Sequence, residues 1–202
     1  MNWYKITQSG LWEDIEEKTR NSDAFGIETY FNRSKFTKNY GWAIPSKEAI
    51  EGIKKFVGNN KVIEVGSGLG LWAKLLQDAG VHVTATDLSL NPLSEEGKGN
   101  RYIDTTNTFT DVEEIGNIDA IEKYRDHSAL LMVWPPYDDP MADESLKAFQ
   151  GDKLIFIGEG QGGCTGGEGF FCTLANEWTD RGYINIPNWD GIHDYIHLFT
   201  KN

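Results

Sequence analysis

The sequence predicts an α/β fold: a doubly wound, mostly parallel sheet of seven strands, closed by a C-terminal antiparallel hairpin. Three observations predict it. From residue 46 onward, short apolar runs alternate with stretches of helical periodicity, and parallel neighbours need such crossovers. The run SALLMVW at 128–134 shows no polar alternation, as expected of a strand covered on both faces. Near the end, two strand-like runs flank Asn188-Trp189-Asp190-Gly191, a sequence rich in turn formers.

Residues 1–44 read as irregular and aromatic-rich, with Trp3, Tyr4, Trp12, Phe25, Tyr30, Phe31 and Phe36. So many aromatics argue for an ordered extension or lid ahead of a domain over residues 45–202. Residues 46–57 form an amphipathic helix, with Ser46 as N-cap and apolar residues at 49, 50, 53, 56 and 57. Residues 61–66 make a short buried strand, 71–80 a helix stopped by Gly80, and 81–87 the next strand. A third strand is expected at 101–104 and a fourth at 128–134. The helix at 142–149 leads to a fifth strand at 153–158, and the helix at 170–178 leads to the hairpin of 182–187 and 192–200. Ligands on such sheets bind outside the carboxyl ends of the strands, at the switch point.

The 202 residues suit one domain with a full hydrophobic core. No apolar run approaches the ~20 residues of a membrane helix, and the mixed, acidic N-terminus is not that of a signal peptide. Cys164 and Cys172 cannot build a disulfide framework or a four-ligand zinc site, so a reducing, cytoplasmic location is expected. A net charge of −12 lacks the basic footprint of a nucleic-acid binder. Residues 29–61 are the exception, with seven Lys/Arg against Glu48 and Glu51: a local basic lip, or a solvated helix face with its loop.

The strongest motif is VIEVGSGLG at 62–70, a strand running into a glycine-rich turn that opens a helix. Glycines let the backbone turn sharply and approach a ligand, and the helix start presents unpaired N–H groups. Asp87 ends the next strand, where an acid can accept both ribose hydroxyls. A dinucleotide site wants G-x-G-x-x-G/A, but here the third small position falls on Leu71. Glu64 is awkward beside a pyrophosphate and suits a cationic ligand.

On these residues the chain resembles the class I S-adenosylmethionine-dependent methyltransferases, whose first motif reads hydrophobic-x-Asp/Glu-x-Gly-x-Gly-x-Gly. Residues Val62 to Gly70 match it throughout, Ala85-Thr86-Asp87 matches the acid closing strand two, and the likeness in strand order covers about residues 46–202, hairpin included. The resemblance implies a Rossmann-like fold and S-adenosylmethionine as cofactor. It implies that Glu64 faces the cationic donor and that Gly66, Ser67, Gly68 and Gly70 pass under its methionine part. Asp87 would hold the ribose, Leu88 would lie against adenine, and Asp104 and Thr105 would sit near the adenine amino group, or Asp104 would only cap its own loop. Tyr40 and Trp42 would shield the sulfonium as a lid, or else cover the sheet edge.

Trp134-Pro135-Pro136-Tyr137 resembles the Asp/Asn/Ser-Pro-Pro-aromatic loop that holds the target amine in amino methyltransferases. The departure is Trp134: an indole donates and cannot accept, so half of the amine-holding device is missing unless its own carbonyl, Asp138, Asp139 or Glu159 supplies it. The other reading is that Trp134 plugs the core and the prolines only turn the chain. A sulfonium methyl is already activated, so alignment is the main task and no metal is called for. The stretch 158–169 holds seven glycines in twelve residues: it wraps a substrate or is a flexible connection. Its Cys164 is a reactive thiol or a small buried residue. His193 and Asp194 are further candidates for a general base, or plain hairpin residues.

The resulting expectation is an S-adenosylmethionine-dependent methyltransferase. Its catalytic residues would be Trp134, Pro135, Pro136, Tyr137 and Glu159, its acceptor a nitrogen on a protein, small molecule or RNA, and nucleic acid the least favoured. The alternatives are a catalytically inactive cofactor-binding module and a dinucleotide-dependent oxidoreductase. The sequence leaves the oligomeric state open.

Overall fold

In the computed structural model, which describes residues 10–93 and 99–202, seven strands form one sheet. They are β1 (Val62–Val65), β2 (Val83–Asp87), β3 (Val112–Glu114), β4 (Ala129–Val133), β5 (Lys153–Gly158), β6 (Trp178–Asn185) and β7 (Tyr195–Lys201), in the order β3-β2-β1-β4-β5-β7-β6. The first five are parallel, with Val62 opposite both Val83 and Ala129. β7 runs antiparallel between β5 and β6, pairing Gly158 with Tyr195 and Asn185 with Tyr195. The mixed sheet is Rossmann-like, as the sequence implied. Trp3 and Tyr4 lie outside the described residues.

Strand alternation sorts the core into two layers. On one face Val62, Ala129, Leu131, Ile155 and Ile157 pack against α3 (Lys47–Val57) and α4 (Leu71–Asp78). On the other, Ile63, Leu130, Met132, Leu154 and Phe156 pack against α5 (Asn117–Lys123), α6 (Met141–Ala148) and α7 (Glu168–Glu177). Each such side chain taken out of water stabilises the fold by about 1.5–3 kcal/mol. Glu64 falls on the Val62 face by the same alternation, which drives a carboxyl into the layer beneath α4.

α3 follows the sequence reading closely. The Ser46 hydroxyl accepts from the Ala49 amide at 3.1 Å, Ile50, Ile53 and Val57 are buried, and Gly58 ends the helix at φ 60°. Elsewhere the structure corrects the reading. The segment before residue 45 is not irregular: it carries α1 (Leu11–Thr19) and α2 (Ile27–Asn39), and Leu11, Ile15, Phe36 and Tyr40 belong to the core layer of α3 and α4. The third strand is not at 101–104. There the Asn100 carboxamide oxygen accepts the Tyr102 amide at 2.8 Å and turns the chain, while the strand forms at 112–114. α5 had no reading at all. β6 begins at Trp178 rather than 182, and its register shifts between Asp180 and Tyr183. No helix among the described residues is long and apolar enough to cross a membrane.

Candidate functional site

The chain leaves β1 toward β2 on one side and resumes at β4 on the other, so the loops at their carboxyl ends part. A cavity of about 870 Å³ opens between them, at the upper end of the range for cofactor and substrate sites. Its walls are the glycine turn, the end of β2, the loop around Asn100, the start of α6, the loop after β4 and the segment joining α2 to α3.

The glycine turn is built by conformations that side chains rarely adopt. Gly66, Gly68 and Gly70 have φ of 70°, 55° and 75°. A methyl group on Gly70 would stand 2.9 Å from Val112 Cγ2, whereas one on Gly68 would meet nothing within 4 Å. Gly68 therefore borders the open cavity, and Gly70 seats the turn on β3 instead of lining the site.

Asp87, 7% exposed, holds this turn from the side. Its Oδ2 accepts the Gly68 amide at 2.8 Å and its Oδ1 accepts the Ser89 amide at 3.2 Å. Burial raises its pKa against the opposing pull of these N–H groups and of Asn100. Glu64, 1% exposed, lies deeper on the same wall. Burial lifts its carboxyl to about 8, the Ala73 backbone N–H works against that, and the Asp87 charge adds to it. Three buried polar atoms on this wall have no hydrogen-bond partner in the protein: Glu64 Oε2, Ser67 Oγ and Trp72 Nε1. Protein interiors leave such groups unpaired only rarely, because each costs about 1–3 kcal/mol. The sequence reading reached Glu64 and Ser67. It missed Trp72, whose helical spacing looks like core.

Across from the turn, Leu88 is 78% exposed and lines the cavity together with Ile115 and Asn117. Asp104 and Thr105 do not line it. Asp104 pairs with Lys38 at 3.3 Å, and Thr105 turns its own loop through the Asn107 amide. Because the third strand forms ten residues later than expected, the residues that follow it are Ile115 and Asn117. At the mouth, the Arg101 guanidinium reaches Asp138 at 3.1 Å and the Tyr102 hydroxyl at 2.6 Å, joining the loop around Asn100 to the loop after β4.

The loop after β4 brings Trp134, Pro135, Pro136 and Tyr137 to the cavity. Trp134 has φ 51°, the one positive φ of a non-glycine among the described residues, a conformation that persists only when the surroundings impose it. Its amide donates to the Ile157 carbonyl at 2.8 Å, and its indole N–H donates to Asp194 Oδ2 at 2.7 Å. Its ring stacks on Trp42 at 4.6 Å and 15°, and the Arg33 guanidinium lies 5.6 Å over the Trp42 ring. The Pro135 carbonyl accepts the Gly166 amide at 3.0 Å. Tyr137 is 61% exposed. Tyr40 lines the inner wall, stacked on Phe36, and its hydroxyl donates to Asp14. Burial and that carboxylate hold its phenol well above the ordinary value.

Glu159 is not in the cavity wall. It organises the glycine-rich stretch from inside: Oε2 accepts the Cys164 amide at 2.8 Å and Oε1 the His193 amide at 3.1 Å. Burial alone would raise its pKa, but the two amides, together with the Cys164 side chain and the His193 charge, outweigh it and hold the carboxyl below the ordinary value. A carboxylate held this way is a poor proton acceptor, so its loop geometry argues against the catalytic role expected of it. Thr165 donates to the Glu159 carbonyl, and the stretch is a pinned loop rather than a slack connection.

No protein-family model matches the chain, and no curated protein sequence matches it at a significant level. Solved structures do match. A protein of the NADB-Rossmann superfamily from Streptococcus agalactiae is 14% identical, aligned over 78% of this chain and 69% of its own, with a TM-score of 0.50. Sp1610 from Streptococcus pneumoniae, described as a proposed tRNA (m1A22) methyltransferase and solved with S-adenosyl-L-methionine, is 12% identical over 78% of this chain and 74% of its own, with a TM-score of 0.50. TehB from Haemophilus influenzae is 14% identical over 84% of this chain and 67% of its own, with a TM-score of 0.49. At these identities the likeness is one of fold: with the protein from Streptococcus agalactiae, this chain shares a Rossmann-like architecture.

Proposed function

We propose that this chain is an S-adenosylmethionine-dependent methyltransferase acting on a nitrogen acceptor, a small molecule or protein in preference to nucleic acid. The observation that carries the reading is the set of unpartnered polar atoms on the glycine-turn wall. A zwitterionic amino acid end answers them: its ammonium suits Glu64, and its carboxylate suits the Trp72 N–H and the Ser67 hydroxyl. Asp87 would take the ribose, Gly66 and Gly68 would leave room for the chain, and Leu88, Ile115 and Asn117 would flank the base. S-adenosylmethionine, when bound, supplies a methyl group on a sulfonium; the acceptor nitrogen forms the new N–C bond and loses a proton as the S–C bond breaks and its electron pair stays on sulfur. Trp134 to Tyr137 would wall the acceptor side. The described part of the segment before residue 45 would serve as the lid, since its Thr37, Tyr40 and Trp42 line the cavity.

Calorimetry with S-adenosylhomocysteine and with NAD tests the reading. Binding of S-adenosylhomocysteine is expected, and binding of NAD alone would overturn it. A second reading, a cofactor-binding module without turnover, draws on Trp134 and Pro135, whose indole N–H and carbonyl are already engaged by Asp194 and Gly166. Stable S-adenosylhomocysteine binding with no methylated product from amine, protein or RNA pools would favour the module.

A further inference from the structure

The Trp134 departure is better explained by what the indole does than by what it lacks. Arg33, Trp42 and Trp134 form a ladder in that order, and Asp194 closes it on the indole nitrogen. Trp42 has both the guanidinium and the Trp134 ring against it. Among the described residues no further ring or cation stacks on Trp134, which lines the cavity. Asp194 is 2% exposed and fixed by Asn188, whose carboxamide oxygen accepts the Asp194 amide at 2.7 Å and whose amide donates to the Asp194 carbonyl at 3.2 Å. A carboxylate on an indole N–H pushes electron density into the ring, and its own charge adds to the negative potential beyond it. Burial lifts the Asp194 carboxyl to about 6, against the pull of the Trp134 N–H, which leaves it ionised at neutral pH.

Most of the charge on the cavity wall has one sign. Asp87, Asp138, Asp139 and Glu144 line it against Arg101, which is bound to Asp138. Glu64, lifted to about 8 by burial, holds its proton at neutral pH until a cation pairs with it. The thiol of Cys164 stays neutral there, its pKa raised by burial and by Glu159. A cleft lined by one sign concentrates ligands of the other and repels its own.

We propose that the acceptor end of the cavity is a cation site, and that the acceptor is a primary, secondary or tertiary amine that arrives protonated and releases that proton to solvent before its lone pair attacks the methyl carbon, held on the face of Trp134 with Asp194 as the positioning residue behind it. The identity of the occupant rests on the methyltransferase reading; the cation site does not. An anionic acceptor such as a nucleotide meets chiefly carboxylates, with the two nearby arginines already engaged, Arg101 by Asp138 and Arg33 over the Trp42 ring.

The test uses choline and its uncharged isostere 3,3-dimethyl-1-butanol, titrated by calorimetry into the full chain with and without saturating S-adenosylhomocysteine. Choline is expected to bind at least tenfold tighter than the alcohol. Trp134→Phe keeps a ring but removes the N–H and is expected to cut that preference severalfold. Asp194→Asn, which keeps an acceptor oxygen without the charge, should do the same while leaving S-adenosylhomocysteine affinity unchanged. Equal binding of the two probes, or adenosine 5′-monophosphate binding tighter than choline beside S-adenosylhomocysteine, overturns the proposal. If the Asp194 variant loses its circular dichroism, the comparison of the two probes on the unaltered chain decides alone. S-adenosylhomocysteine binding without a cation preference sinks this inference and spares the cofactor reading; a cation preference without S-adenosylhomocysteine binding does the reverse.

Discussion

Asp87 and the two glycines near it separate holding the fold from holding a ligand. Asp87 fixes the turn through Gly68 and Ser89, and Oδ2, which accepts the Gly68 amide, keeps a second lone pair for a hydroxyl, while Oδ1 also takes a long 3.4 Å contact from Asn100. Asp87→Ala is expected to abolish S-adenosylhomocysteine binding in calorimetry, a loss of at least tenfold; unchanged affinity would remove the ribose role. The glycines make a sharper pair. In Gly70→Ala the new methyl meets Val112 at 2.9 Å on a backbone already at φ 75°. Such a change costs about 1–3 kcal/mol, and thermal unfolding should show it. In Gly68→Ala the methyl meets no protein atom. The φ of 55° alone costs about 1 kcal/mol, so stability should drop less while S-adenosylhomocysteine binding weakens more. The opposite ranking would mean that Gly68 does not border the ligand.

At the scale of elements, legibility followed how many signals agreed. α3 had a cap, a period and a glycine stop, and it formed where expected. The β1 turn and Asp87 were legible because a glycine pattern and a strand-end acid have few other uses. α1 and α2 were not legible: Phe25, Ile27, Tyr30 and Phe31 point outward while Phe36 and Tyr40 point inward, so apolar residues lie on both sides and blur the period. β3 is three partly exposed residues with one apolar member, and no run announces it. α5 starts at Gly116 without a side-chain cap. In the site, Glu159 looked catalytic from its place after β5, but proximity along the chain does not say which way a carboxylate turns. The Trp134–Asp194 bond joins residues 60 apart, and no local pattern encodes it. α2 also yields a prediction. Phe36 is fully buried, stacked on Tyr40 and 5.6 Å from Trp189 in the loop between β6 and β7. Phe36→Ala should cost about 3–5 kcal/mol. Denaturant titration checks it, and a cost below about 1 kcal/mol would show that the helix is appended rather than integral.

The whole molecule carries an acid whose proton affinity rises on folding. Glu64 titrates near its usual 4.5 in the unfolded chain and at about 8 in the fold, chiefly because it is buried. Between those values the folded state binds more protons than the unfolded one, so its stability falls as pH rises through the window. The limiting slope is about 1.4 kcal/mol per pH unit. Asp194 acts in the same direction, from 3.8 to about 6. His127 and His197 act oppositely, because burial lowers their pKa below the ordinary 6.5 and their protonation opposes folding. Asp87, which burial also raises, acts with Glu64, and the histidines act only below their ordinary value of 6.5, so Glu64 is the acid placed to carry the fall from pH 7 to 8. The melting temperature of the free protein should therefore fall over that interval, and Glu64→Gln should flatten the fall. If an ammonium group pairs with the ionised carboxylate, ligand binding expels the Glu64 proton. The dissociation constant of S-adenosylhomocysteine should then tighten up to about tenfold per unit from pH 6.5 to 7.5, and calorimetry in buffers of different ionisation enthalpy should register the released proton. A pH-independent affinity, or a slope that survives Glu64→Gln, would mean that the buried acid keeps its proton and serves the ligand only as a neutral hydrogen-bond partner.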